Sequence, residues 1–85
     1  MVIFTFTDKS YKTFLHLEKN IKERIAGKLT ELKNHPDIFS VLKVVTNLEP
    51  ATYRLRIGNY RMLIMQKSEN TFSILKLGHR REIYR

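Results

Sequence analysis

The sequence predicts an α+β domain in the order β-α-α-β-β-β, a small antiparallel sheet with an N-terminal two-helix hairpin packed on one face. Three observations carry that expectation. Residues 2–7, VIFTFT, alternate and are β-branched or aromatic, the pattern of a half-buried strand. Ile21, Ile25, Leu29 and Leu32 recur at helical spacing, so one face of that segment is apolar. TYRLRI and YRMLIM then flank Gly58-Asn59, residue types that tolerate the positive φ of a two-residue hairpin turn.

After the first strand, DKSYKTFLHL places Tyr11, Phe14 and Leu15 at helical spacing, with Asp8 near the start, where a carboxylate suits the helix dipole. The second helix is expected to open on a capping box of Asn20 and Glu23 and to stop at Pro36. Gly27 inside it costs up to about 1 kcal/mol against alanine. Residues 37–52 read as a buried loop with a short strand around 42–45, and Pro50 separates that strand from the hairpin. The hairpin about Gly58-Asn59 comes next. KSEN at 67–70 turns the chain into a last strand, TFSILKL, at 71–77. No repeat or linker divides the chain, so residues 1–85 form one domain, a size that supports a single modest core.

Composition narrows the function. With no cysteine, disulfides and thiolate metal sites are excluded; His16, His35 and His79 have no metal-ligand spacing. His16 and His35 read as surface or capping residues, and Met62 and Met65 as packing. No apolar run approaches the roughly 18 residues of a membrane span, and the N-terminus lacks the basic region of a signal peptide. A cytoplasmic protein with no membrane partner is expected. The formal charge of +8 implies a polyanionic partner. It is unevenly placed: residues 1–49 carry +2 and residues 50–85 carry +6, with six of the seven arginines in that second part. Arginine at this density favours phosphate, which its planar fork holds bidentately.

A two-residue turn at Gly58-Asn59 sets Arg56 opposite Arg61, with Arg54 two positions back on the same face. Leu55, Ile57, Met62 and Ile64 take the other face, under the helices. Like charges directly opposite in a sheet are destabilising, so an anion is the natural explanation for that pairing. The final stretch, GHRREIYR at 78–85, is expected to return His79, Arg80 and Tyr84 over the arginine face. Arginines, a histidine and a phenol together suit phosphodiester cleavage, the cations neutralising the phosphorane while His or Tyr moves protons. The cluster brings no carboxylate set for a two-metal mechanism, so no metal or other cofactor is expected. Without one, the positioned 2′-hydroxyl of RNA is the cheapest nucleophile.

YRLRIGNYRMLI at 53–64 followed by GHRREIYR at 78–85 resembles the RelE/ParE toxin superfamily of bacterial toxin–antitoxin pairs, and the likeness runs along essentially the whole chain. It implies the same β-α-α-β-β-β fold and a cognate antitoxin, RelB-like or another small acidic protein, that wraps the toxin in a hetero-oligomer. In the RelE branch it further implies metal-free cleavage of mRNA in the ribosomal A site, leaving a 2′,3′-cyclic phosphate. By motif position, Arg54 and Arg56 fall where the best-studied RelE toxin has two lysines. Arg61 falls on its hairpin arginine, Arg80 on the terminal arginine and Tyr84 on the terminal tyrosine. His79 replaces a lysine there, and several related branches also carry histidine. The resemblance thus implies a catalytic set of Arg56, Arg61, His79, Arg80 and Tyr84, with RNA held by Arg54, Arg56, Arg61 and Arg81. Arginine stays protonated and is a poor base, which leaves proton transfer to His79 and Tyr84, with Glu82 as a weaker candidate. Two alternatives stay open. One is a ParE-like toxin that inhibits DNA gyrase without cleaving RNA. The other is a non-catalytic basic RNA-binding module, which would need aromatics exposed among the cations for base stacking.

Overall fold

The computed structural model describes residues 1–83, so Tyr84 and Arg85 lie outside the described residues. The chain forms β1 (Ile3–Phe6), α1 (Asp8–Leu15), α2 (Lys19–Lys33), a single 3₁₀ turn (Ile38–Ser40), β2 (Lys43–Val44), β3 (Tyr53–Ile57), β4 (Tyr60–Gln66) and β5 (Thr71–His79). The five strands make one sheet in the order β1-β5-β4-β3-β2. The α+β class and the two-helix cover agree with the sequence expectation. One pairing differs from a wholly antiparallel sheet: β1 runs parallel to β5, with Ile3 beside Thr71 and Phe6 beside Ile74. Alternation decides which face a side chain takes but is blind to strand direction, and β5 has one edge left after pairing antiparallel with β4.

Both helices lie on the same face. Ile25 and Leu32 of α2 are fully buried, and Ile21, Leu29 and Phe14 pack beside them. From the sheet they meet Leu55, Ile57, Met62, Ile64, Phe72, Ile74 and Leu77, the alternate positions that the hairpin register assigns to the core side. Phe72 is the largest fully buried side chain. Its ring centroid lies 5.8 Å from that of Phe4 and 6.0 Å from that of Phe39.

The capping box forms one helix earlier than expected. The Ser10 N–H donates to Thr7 Oγ1 at 3.1 Å and the Thr7 N–H donates to Ser10 Oγ at 3.0 Å, satisfying two donors that a helix start leaves open. Ser10 also donates its hydroxyl to the Ile74 carbonyl at 2.7 Å, which ties α1 to β5. At α2 the N-cap position falls on Glu18, which makes no side-chain cap bond, so Asn20 lies inside the helix rather than at its start. Among the described residues no helix is long and apolar enough to cross a membrane.

Candidate nucleic-acid interface

Gly58 alone fixes the geometry of the β3–β4 hairpin. Its φ of 59° is the left-handed conformation that glycine adopts without steric cost, and it closes the two-residue turn. Ile57 is therefore paired with Tyr60, and Arg56 with Arg61. Arg54 lies two residues before Arg56 and pairs with Lys43 of β2. Arg54, Arg56, Arg61 and Lys43 thus share the face turned away from the helices, as the register predicts for the three arginines. Among the described residues no carboxylate forms an ion pair with Arg56 or Arg61; the one salt bridge there joins Lys28 to Glu31 at 3.7 Å, within α2. The Nε of Arg56 reaches only the Gly58 carbonyl, at a long 3.4 Å.

These cations surround a groove of about 260 Å³ at the β3 edge, lined by Lys28, Val41, Lys43, Arg54, Leu55, Arg56 and Arg61. Lys28 and Lys43 come from the less charged part of the chain, and sequence reading passed over both. Lys43 was legible as a residue of the predicted short strand. Lys28 reaches the groove only because α2 packs against β3. No group of three or more His, Cys, Asp or Glu able to hold a metal gathers among the described residues.

The terminal motif is a turn built on His79. The Arg80 N–H donates to the Asn59 carbonyl at 2.7 Å, while the N–H groups of Glu82 and Ile83 donate to the His79 carbonyl. The segment is thereby fastened to the tip of the arginine hairpin. Arg80, Arg81 and Glu82 are exposed. His79 does not return over the arginines. It is paired with Tyr60, two residues before the core residue Met62, and so takes the helix-side parity. The two rings meet edge to face at 5.7 Å. Its Nδ1 accepts the Arg81 N–H at 3.3 Å, which leaves Nε2 to carry the proton of the neutral ring. Tyr84, the expected catalytic phenol, lies outside the described residues.

What does return to the arginine side is Ile83. It is 1% exposed and joins Ala51 and Leu63 in a second small core, with Val45, Leu48 and Leu75 around them. Gly78, paired with Arg61, lies beside Ile83: a Cβ there would make only ordinary contact, at 4.0 Å, with Ile83 Cδ1. Ile83→Ala is therefore expected to loosen the terminal turn and speed tryptic cleavage after Arg80 and Arg81 relative to other sites, as read by mass spectrometry. Equal relative rates would mean that the backbone bonds hold the turn without the apolar anchor.

A family model described as the ParE toxin of the type II toxin–antitoxin system parDE matches residues 5–84. Solved structures agree in fold. The RelBE toxin–antitoxin complex of Mycobacterium tuberculosis is similar at 25% identity and a TM-score of 0.75, over 93% of either chain. The RelB–RelE complex of Methanococcus jannaschii is similar at 27% identity and 0.70, over 94% of either chain. The isolated Escherichia coli RelE toxin is similar in fold at 20% identity and 0.70, over 93% of this chain and 84% of that one. No curated protein matches the chain significantly. A cationic hairpin face, a terminal turn fastened to its tip and a family match along nearly the whole length lead to one conclusion: the chain belongs to the ParE toxin family of type II toxin–antitoxin systems, within the RelE/ParE superfamily.

Proposed function

We propose that this toxin is a metal-independent endoribonuclease that cleaves mRNA, in the ribosomal A site, and so stops translation. The observation that carries the proposal is the pairing of Arg56 with Arg61 on the face turned away from the helices, where no carboxylate among the described residues pairs with either. A fold that sets two guanidinium groups across from each other accepts an unfavourable interaction that a bound phosphate reverses. In the proposed reaction the 2′-oxygen attacks the adjacent phosphorus and the bond from phosphorus to the 5′-oxygen breaks. The products are a 2′,3′-cyclic phosphate and a 5′-hydroxyl. Arg61 and Arg56 stabilise the charge that grows on the non-bridging oxygens, and Arg54 and Arg81 hold neighbouring backbone. Arg80, carried by the terminal turn, adds a third cation to the phosphorane. The 2′-hydroxyl loses a proton and the leaving oxygen gains one. That exchange is assigned to the terminal motif, with Tyr84 as the carrier and Glu82 the reserve base, since the pairing of His79 with Tyr60 turns its ring away from the arginines.

The antitoxin is proposed as a small acidic, RelB-like segment that covers the basic face in a hetero-oligomer, since wrapping buries surface while pairing charge. The structural relatives that are RelB–RelE complexes support a partner of this kind. A second reading, a ParE-like gyrase inhibitor that leaves RNA intact, is favoured by the description of the matching family. One experiment separates the two. Expressed without its antitoxin, the protein is expected to arrest growth with cleaved mRNA detectable within minutes. Intact mRNA accompanied by DNA breaks and a DNA-damage response would replace the nuclease reading with the gyrase one.

A further inference from the structure

We propose that the phosphate-binding surface continues round the β3 edge onto α2, where Arg24 and Lys28 hold a second backbone phosphate of the bound RNA strand. The proposal rests on the nuclease reading above and extends its substrate contact to residues outside the hairpin and terminal motif. A recess of about 330 Å³ lies beside the arginine groove, lined by Arg24, Lys28, Glu31, Arg56, Ile57 and Gly58. It shares Lys28 and Arg56 with that groove, so the two form one cationic track with Arg61 at one end and Arg24 at the other.

Arg24 and Lys28 are four residues apart on α2, on either side of the core residue Ile25, and so project along one helix face. Like charges at that spacing weaken a helix slightly, which again asks for an anion. Arg24 also lies against the hairpin tip. A Cβ built on Gly58 would stand 2.7 Å from its Nη2, so the guanidinium occupies the space that the glycine leaves at the hairpin tip. The single carboxylate lining the recess, Glu31, is already paired with Lys28. Arg24 has no ion pair among the described residues.

At the α2 end of the track the chemistry selects a nucleic-acid backbone over the antitoxin segment that covers the hairpin face. A protein partner of this family needs apolar anchors, because desolvated side chains supply most interface energy. Of the exposed apolar side chains, Met1, Ile3, Tyr11 and Leu15 lie at β1 and α1, and Phe39 of the 3₁₀ turn and Val44 of β2 line neither groove; the one apolar residue lining the recess, Ile57, is buried. A positively charged recess without an exposed apolar anchor suits a strand tracked by its phosphates.

The test uses the full chain and a 2′-O-methyl oligoribonucleotide, which lacks the nucleophilic hydroxyl and stays intact. The double variant Arg24→Ala/Lys28→Ala removes exposed and half-buried cations, and an unchanged thermal midpoint verifies its fold. It is expected to bind roughly tenfold more weakly at low salt. The slope of log affinity against log salt should also become shallower by about 0.7 for the lost phosphate. Arg56→Ala serves as the reference. If Arg56→Ala weakens binding while the double variant keeps both affinity and slope, the second phosphate site is overturned and the nuclease reading stands. If neither change alters binding, both fail. If the double variant binds the oligonucleotide normally but loses its antitoxin on purification, the recess is a protein interface and the proposal is overturned.

Discussion

Arg61→Ala is expected to slow single-turnover cleavage of ribosome-bound mRNA by about 10²–10³-fold, the usual cost of removing one preorganised charge donor. Its position explains why it exceeds its neighbours. Arg61 faces Arg56 on β3 and Gly78 on β5, so the β5 side offers no side chain of its own at that pairing. Arg61→Lys should restore only part of the rate, because charge returns without the bidentate fork. The alanine substitution also removes a like-charge pairing, so that variant should melt no earlier than the parent. That combination, rate lost and stability kept, distinguishes a phosphate-binding role from a structural one. A rate within a few-fold of the parent would take Arg61 out of the catalytic set.

Phe72→Ala should produce the largest loss of stability. The ring is fully buried and meets Phe4, Phe39 and Tyr53 with centroids 5.8 to 6.3 Å apart. It therefore joins β1, the 3₁₀ turn and β3 to the middle of the sheet. Truncating such a side chain costs about 3–5 kcal/mol, because the cavity collapses only in part. Small domains hold about 5–15 kcal/mol in total, so a large share would go. Urea denaturation should show a lower midpoint with an unchanged slope. A loss below about 1.5 kcal/mol would mean that the neighbouring rings close over the space.

The hairpin was the most legible part of the molecule. A two-residue turn leaves one register, and Gly58-Asn59 marks that turn plainly, so the residue order alone sets Arg56 against Arg61. The α2 stripe was legible for a similar reason, since helical spacing dictates which face is buried. The direction of β1 was not, because alternation carries no information about it. The second core was missed although β4 signalled it. Met62, Leu63 and Ile64 are buried in succession, and Leu63 would be polar on a sheet with one wet face. Leu63 needed a cover, and Ile83 provides it. The placement of His79 is decided by pairing rather than composition. Once β5 extends as far as residue 79, its parity turns it away from the arginines. Capping patterns of Thr and Ser are easier to overlook than those of Glu, which is how the Thr7–Ser10 box escaped notice.

The parallel pairing of β1 with β5 has a temporal meaning. The sheet order places β5 between β1 and β4, yet β5 is synthesised after every other strand. Until it emerges, β1 has no neighbour, and the β3–β4 hairpin is the kind of two-stranded ribbon that is marginal alone in water. Joining Ile3 to Thr71 closes nearly the whole chain into one loop, a non-local contact that slows folding. The arginines of β3 and β4 thus precede β5 in the chain and gain a rigid platform only after residues 71–79 insert. A chain in which β5 has not yet inserted is therefore expected to lack the assembled cationic face.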